Sequence, residues 1–223
     1  MATRGQRTNR RADALSKQRI VDTAVEILDT EGESALTFRV LAARLETGSG
    51  AIYWHVADKG ELLAAAADDV IARVLAVPVG DAEPAAAIRA VALGIFDAID
   101  ARPWVGTQLG QAPGQLAVLR IYERIGGRLE GLGVPEKALF FAASALVNYI
   151  LGVAGQNAAN ARLAVPGGDR SAFLAAVAAR WTEQDPADYP FAHRVAAQLA
   201  DHDDREQFLA GIDLVLAGIT TLG

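Results

Sequence analysis

The chain contains no cysteine, so it holds neither a disulfide framework nor a thiolate metal site. Its three histidines, His55, His193 and His202, lack metal-ligand spacing. His202 does stand beside Asp201, Asp203 and Asp204, which reads either as a hard-cation cluster or as the solvated cap of a following helix, the cap being the better reading. There is no G-x-S-x-G elbow, no glycine-rich phosphate loop and no thiol nucleophile, so nothing marks an enzyme or calls for a cofactor. No stretch of about 18 uninterrupted apolar residues occurs, which argues against a membrane span. The opening Met-Ala-Thr-Arg and the polar, basic residues after it lack the apolar core of a secretory signal. These absences set the expectation of a cytoplasmic protein without a membrane partner. Alternating strand patterns and internal repeats are also missing, which leaves an all-α chain.

What is present is a chain of 223 residues, 52% hydrophobic through heavy use of alanine, enough for a small helical domain joined to a larger one. The net charge of -6 is unevenly spread. Residues 1–20 carry Arg4, Arg7, Arg10, Arg11, Lys17 and Arg19 against Asp13, a local balance of +5, whereas residues 61–223 sum to -7. A basic arm on an acidic body is one reading of that asymmetry, and a solvated tail is the other.

Helix signals follow one another along the chain. Ser16 can cap a helix whose apolar stripe is Ile20, Ala24, Ile27 and Leu28, and Gly32 is placed to stop it. Thr37 caps a short helix that buries Leu41 and Leu45 and ends near Glu46. Ser49 is the expected cap of a third helix over about residues 50–55. Asp58 with Glu61 three positions on makes a capping-box-like start for a long helix that Pro78 ends. Proline and glycine then divide the remainder into helices opened by Pro84, by Pro103-Trp104 and after Gly114. Further helices are expected at about 136–160, 171–182, 191–200 and from Asp203-Asp204 to the end.

Two short helices joined by a tight turn, Leu36–Leu45 and Ala51–Lys59, and braced by the first helix make a helix-turn-helix. Ala42 suits their close crossing. A helix with its side chains is about 10–12 Å thick and enters a major groove about 12 Å wide. The run Leu41-Ala42, a turn, then Tyr53-Trp54-His55-Val56 and Lys59 resembles the DNA-binding signature of the TetR family of repressors, strongly over about residues 16–65. Arg205–Ile219 more weakly resembles the closing helix of its tetracycline-repressor-like regulatory domain. The resemblance implies a flexible basic arm over 1–15, a helix-turn-helix domain over 16–61 and a helical ligand-binding and dimerisation domain over 62–223. It implies that Arg39, Ser49, Gly50 and Tyr53 face DNA, with Trp54 and His55 at the groove edge or backbone. Lys59 would meet phosphate, and Thr37 would donate to phosphate from a helix N-terminus. Arg39 is the candidate for a guanine edge, since a guanidinium can bond O6 and N7 together. The turn departs from the family: Glu46-Thr47 replaces the usual glycine–apolar pair, and Gly50 removes one base-reading side chain.

One helix-turn-helix reads too few base pairs to be selective, so a homodimer on a palindromic operator is expected, joined through the helices at about 136–160 and 205–220. The resemblance also implies a cavity for a small-molecule effector that releases the operator. Its candidate lining is Phe96, Trp104, Gln108, Leu109, Phe140, Ser144, Asn148, Tyr149 and Trp181, mostly apolar with a few polar groups. A ligand-blind DNA-binding or protein-recruiting module is the reading this leaves open.

Overall fold

The computed structural model describes residues 15–78, 80, 82–111, 115–163 and 170–222. Among these residues the regular structure is entirely helical, in eleven helices. The first three build the small N-terminal unit. α1 (Lys17–Glu31) starts where the Ser16 hydroxyl accepts from the Arg19 amide, and it ends at Gly32, whose φ of 80° is open to glycine at little cost. α2 (Phe38–Arg44) starts where the Thr37 hydroxyl oxygen accepts from the Val40 amide at 3.2 Å. α3 (Ser49–Tyr53) differs from expectation. Gly48 occupies the cap position, so the Ser49 hydroxyl is inside the helix rather than capping it, and the helix stops at Tyr53. Leu36, Leu41, Leu45, Ile52 and Val56 close over the buried face of α1.

α4 (Lys59–Ala76) is common to both parts of the molecule. Leu62, Leu63 and Ala66 join the N-terminal core, and Val70 and Ile71 lie further along the same buried stripe. It packs on α1 at one side and on α5 (Pro84–Ala101), α6 (Pro103–Gln111) and α7 (Leu116–Gly131) at the other. Pro84 opens α5 with its missing amide at a position that needs no partner, while the Glu83 carboxylate accepts from the Ala85 and Ala86 amides at 3.1 Å each. α8 (Glu136–Leu163) runs through the centre of the body and packs on α5, α6, α7 and α11 (Asp204–Thr220). On composition alone it is long and apolar enough to cross a membrane. Here one stripe of it, from Ala142 through Leu146, Val147 and Ile150 to Ala158, is buried in the helical body. α9 (Arg170–Thr182) and α10 (Pro190–Asp201) form a hairpin packed chiefly on itself. The expected basic arm over 1–15 falls outside the described residues except for Leu15, as do Gly114 and residues 164–169 of the expected loop.

The last two long helices are locked at one point. The Tyr149 hydroxyl of α8 donates to the Phe208 carbonyl of α11 at 3.2 Å, and its ring stacks on Phe208, 5.7 Å between centroids. Phe208 in turn stacks on Phe96 of α5 at 4.7 Å. A Cβ at position 211 would overlap the Tyr149 hydroxyl, so the crossing requires glycine there. Gly211→Ala is expected to lower stability by about 1–3 kcal/mol, the usual cost of overpacking, although alanine is the better helix former. Thermal unfolding measures it, and in a Tyr149→Ala background the same substitution should cost much less. An unchanged Tm for Gly211→Ala would contradict the lock.

Candidate nucleic-acid interface and regulatory body

The turn between α2 and α3 solves a backbone problem with an unusual residue. The Thr47 amide donates to the Ala42 carbonyl at 3.0 Å and the Glu46 amide to the Ala43 carbonyl at 3.3 Å. These are the two bonds of a Schellman C-cap, which needs a left-handed residue at its centre. Glu46 is that residue, with φ 51°, where a glycine would sit without strain. The glutamate therefore puts backbone strain into this turn. Glu46→Gly is expected to raise stability by up to about 1 kcal/mol, the left-handed penalty less the extra chain entropy of glycine. Glu46→Val should lower it, and denaturant unfolding of both variants checks the sign.

Around that turn most of the expected contact residues are exposed. Thr37, Arg39, Ser49, Gly50, Tyr53 and Trp54 are all solvent-exposed, Trp54 at 89%. The Tyr53 ring lies flat on Phe38, 4.5 Å between centroids and 7° between planes, so α2 holds the tyrosine upright at the end of α3. Arg39 makes no hydrogen bond or ion pair among the described residues, whereas Arg44 is paired with Glu31. His55 is half-buried. Lys59 is placed differently from the others: its ammonium donates to the Glu33 carbonyl at 2.8 Å, tying the start of α4 to the loop after α1.

The start of α4 carries a second tie. The Glu61 amide donates to the Asp58 carboxylate at 2.8 Å, and the Glu61 carboxylate accepts from the Ala57 amide at 2.7 Å and from Lys17 at 3.0 Å. The Ala57 amide, then Lys17, hold the Glu61 carboxyl below its usual range. A depressed carboxylate contributes stability that is present above its unfolded-state value and lost as pH falls through its folded-state value. Glu61→Gln should therefore be less stable than the parent near pH 7, with the gap closing as pH falls below the ordinary glutamate range. Tm measured across pH checks this, and a gap that widens toward acid would contradict it.

The residues expected to line an effector cavity are only partly brought together. Tyr149 and Trp181 share a cavity of about 490 Å³ whose polar lining includes Gln156, Asn157 and Asn160. Phe96 borders another of about 560 Å³, rich in carboxylates around His202. The acidic cluster at 201–204 acts as a cap: Asp203 accepts from the Glu206 amide at 2.8 Å, and Asp204 pairs with Arg170. No group of three metal-ligating side chains occurs among the described residues. Gln108 and Leu109 are buried in α6. Ser144 accepts from the Tyr122 hydroxyl at 3.4 Å, Asn148 is exposed, and Phe140 is 71% exposed beside Phe141 on the outer face of α8. Trp104 is buried, and its indole N–H donates at 2.9 Å to Asp29 of α1. Arg102 bonds the other Asp29 oxygen at 2.9 Å, so one carboxylate clasps the body to the N-terminal unit. Nothing in the local sequence pattern marks a pairing between groups 75 residues apart.

A three-helix reader with an exposed second helix, carried on a larger helical body, defines a helix-turn-helix regulator. Comparison with known proteins makes the class specific. Residues 20–66 match the family described as bacterial regulatory proteins, tetR family, and residues 106–222 match the tetracyclin repressor-like C-terminal domain. The solved structure of the transcriptional regulator SCO7222, a TetR from Streptomyces coelicolor, is 52% identical, with a TM-score of 0.82 over 94% of this chain and 99% of that one. The HTH-type transcriptional repressor DrrR1 of Streptomyces coeruleorubidus is 31% identical over 144 residues, 63% of this chain and 53% of its own length. ActR of Streptomyces coelicolor in complex with actinorhodin shares the fold at 22% identity, with a TM-score of 0.77 over 94% and 99% of the two chains. The chain spans about half of DrrR1 and less of the other curated relatives it matches. The chain belongs to the TetR family of bacterial transcription regulators.

Proposed function

We propose that this regulator is a repressor which binds a palindromic operator as a homodimer and is released by a small-molecule effector. The observation that carries the reading is the exposure of Thr37, Arg39, Ser49, Gly50, Tyr53 and Trp54 on the two helices that flank the α2–α3 turn. Arg39 is free to reach a guanine edge, Thr37 and the N-termini of α2 and α3 present amides to phosphate, and Trp54 and His55 border the groove. Lys59 serves first to fix α4 against the reader, with further ammonium donors left for phosphate. The arm over 1–15 adds sequence-independent attraction for the backbone. We divide the chain as the reader over 16–61 and the regulatory body over 62–223, and place the protein in the cytoplasm as a regulator without catalysis.

Dimer contact is proposed through the outer faces of α8 and α11, where Phe140, Phe141 and Leu214 are each more than 70% exposed. Phe140 thus moves from the effector lining to the subunit interface. The effector cavity is proposed where Tyr149 and Trp181 meet the amides of α8. Linkage requires only that the effector favour a dimer shape whose two α3 helices miss successive major grooves. The test is selection of sites from random duplex DNA by the parent and by Arg39→Ala, a variant that breaks no hydrogen bond or ion pair within the described residues. A palindromic consensus with half-sites one helical turn or a multiple of it apart is expected, with discrimination at one position per half-site weakened by about 1–3 kcal/mol in the variant. No enrichment by the parent at moderate salt would overturn the reading.

A further inference from the structure

A groove of about 770 Å³ lies between the C-terminal end of α4 and the outer face of α7, separate from the cavities described above. One wall is apolar, with Leu75 of α4 and Leu116 and Leu119 of α7, the last two more than half exposed. Along it lie Arg120, Arg124 and Arg128, four residues apart and so stacked on one helix face. Like charges at that spacing repel, and the structure compensates them incompletely. Arg120 donates to Asp68 of α4 at 2.8 Å. Among the described residues Glu123 is the one carboxylate lining the groove. Set against Arg124 and Arg128, it leaves one positive charge over. The Arg124 Nε is buried without a hydrogen-bond partner, the kind of group that costs free energy until an acceptor arrives.

We infer that this groove binds an amphipathic organic anion, an apolar body against Leu75, Leu116 and Leu119 with its single acid group on Arg124 and Arg128. A guanidinium pair on an apolar wall matches a carboxylate, sulfonate or phosphate ester better than a neutral or cationic molecule. The site is about 25 Å along α4 from the reader, too far to serve as a DNA contact. Its regulatory consequence, which rests on the repressor reading above, runs through Arg120. An acid group seated on Arg124 lies within one helical turn of Arg120, draws that guanidinium away from Asp68 and loosens α7 from α4. α4 is in turn bound to α1 by Gln18, which donates to Asp69 at 2.8 Å, and by Arg73, which bridges Asp22 and Asp69.

The experiment titrates the full chain with 1-anilinonaphthalene-8-sulfonate and with N-phenyl-1-naphthylamine, which has the same rings and no sulfonate. The sulfonate dye should bind about tenfold or more tightly than the neutral one. Arg124→Gln/Arg128→Gln should erase that difference while leaving Tm in place, and Arg124→Lys/Arg128→Lys should retain most of it. In the parent the sulfonate dye should weaken operator binding. Asp68→Asn should bind the dye at least as well, yet its operator affinity should no longer respond. Equal affinity for the two dyes, indifference to the glutamine pair, or loss of the signal in Trp181→Ala instead would overturn the site. A parent that binds dye through Arg124 and Arg128 but binds no operator would fault the repressor reading and leave the groove standing.

Discussion

Everything else in this molecule depends on the burial of one continuous face of α4. The reader has one helix of 15 residues and two short ones, and its core is closed only when Leu62, Leu63 and Ala66 are laid against α1. The body needs the same helix, because α5, α6 and α7 all pack on it. Hydrophobic burial scales with area and has no direction of its own, so it holds the two parts together without fixing their angle. The polar contacts fix it. Lys59 on the Glu33 carbonyl, Gln18 on Asp69, Arg73 on Asp22, and the Asp29 clasp to Arg102 and Trp104 surround the buried face.

These polar contacts are mostly at the surface and individually weak, and that suits a regulator. Exposed ion pairs contribute about 0–1 kcal/mol each. A coupling free energy of about 1–3 kcal/mol between effector and operator is therefore within reach of exchanging two or three of them. A body joined to its reader by a large, rigid apolar interface alone would resist such an exchange. The clasp at Asp29 is the firmest of the set, since the buried Trp104 indole is one of its donors.

The sequence made local chemistry legible and long-range chemistry opaque. Caps at Ser16, Thr37, Asp58 and Asp203 were readable because a cap is decided within three residues. The turn at Glu46 was flagged, but its left-handed backbone was not, because glutamate has no propensity for that region and only the surrounding helices impose it. Ser49 misled for a related reason: serine is a good cap, yet the Schellman turn ends one residue earlier and hands the position to Gly48. Trp104 and Phe140 were both read as cavity residues. An isolated tryptophan carries no sign of a carboxylate 75 positions away, and α8 is so evenly apolar that its pattern does not say which side faces in. Of the residues that the resemblance implies at DNA, Thr37, Arg39, Ser49, Gly50, Tyr53 and Trp54 are exposed and His55 and Lys59 are half-buried, a difference that a signature alone does not carry.

The unbroken run of α4 also has a mechanical meaning. It is a lever about 25 Å long, with the reader at one end and the arginine groove at the other. A tilt of about 5° at the groove end carries the reader end through about 2 Å. In a two-fold dimer the two levers swing in opposite senses, so the spacing between recognition helices changes by about 4 Å against a helical repeat of about 34 Å. A displacement smaller than one helical turn of protein is thus enough to put two readers out of step with DNA, and neither reader needs to change its own shape.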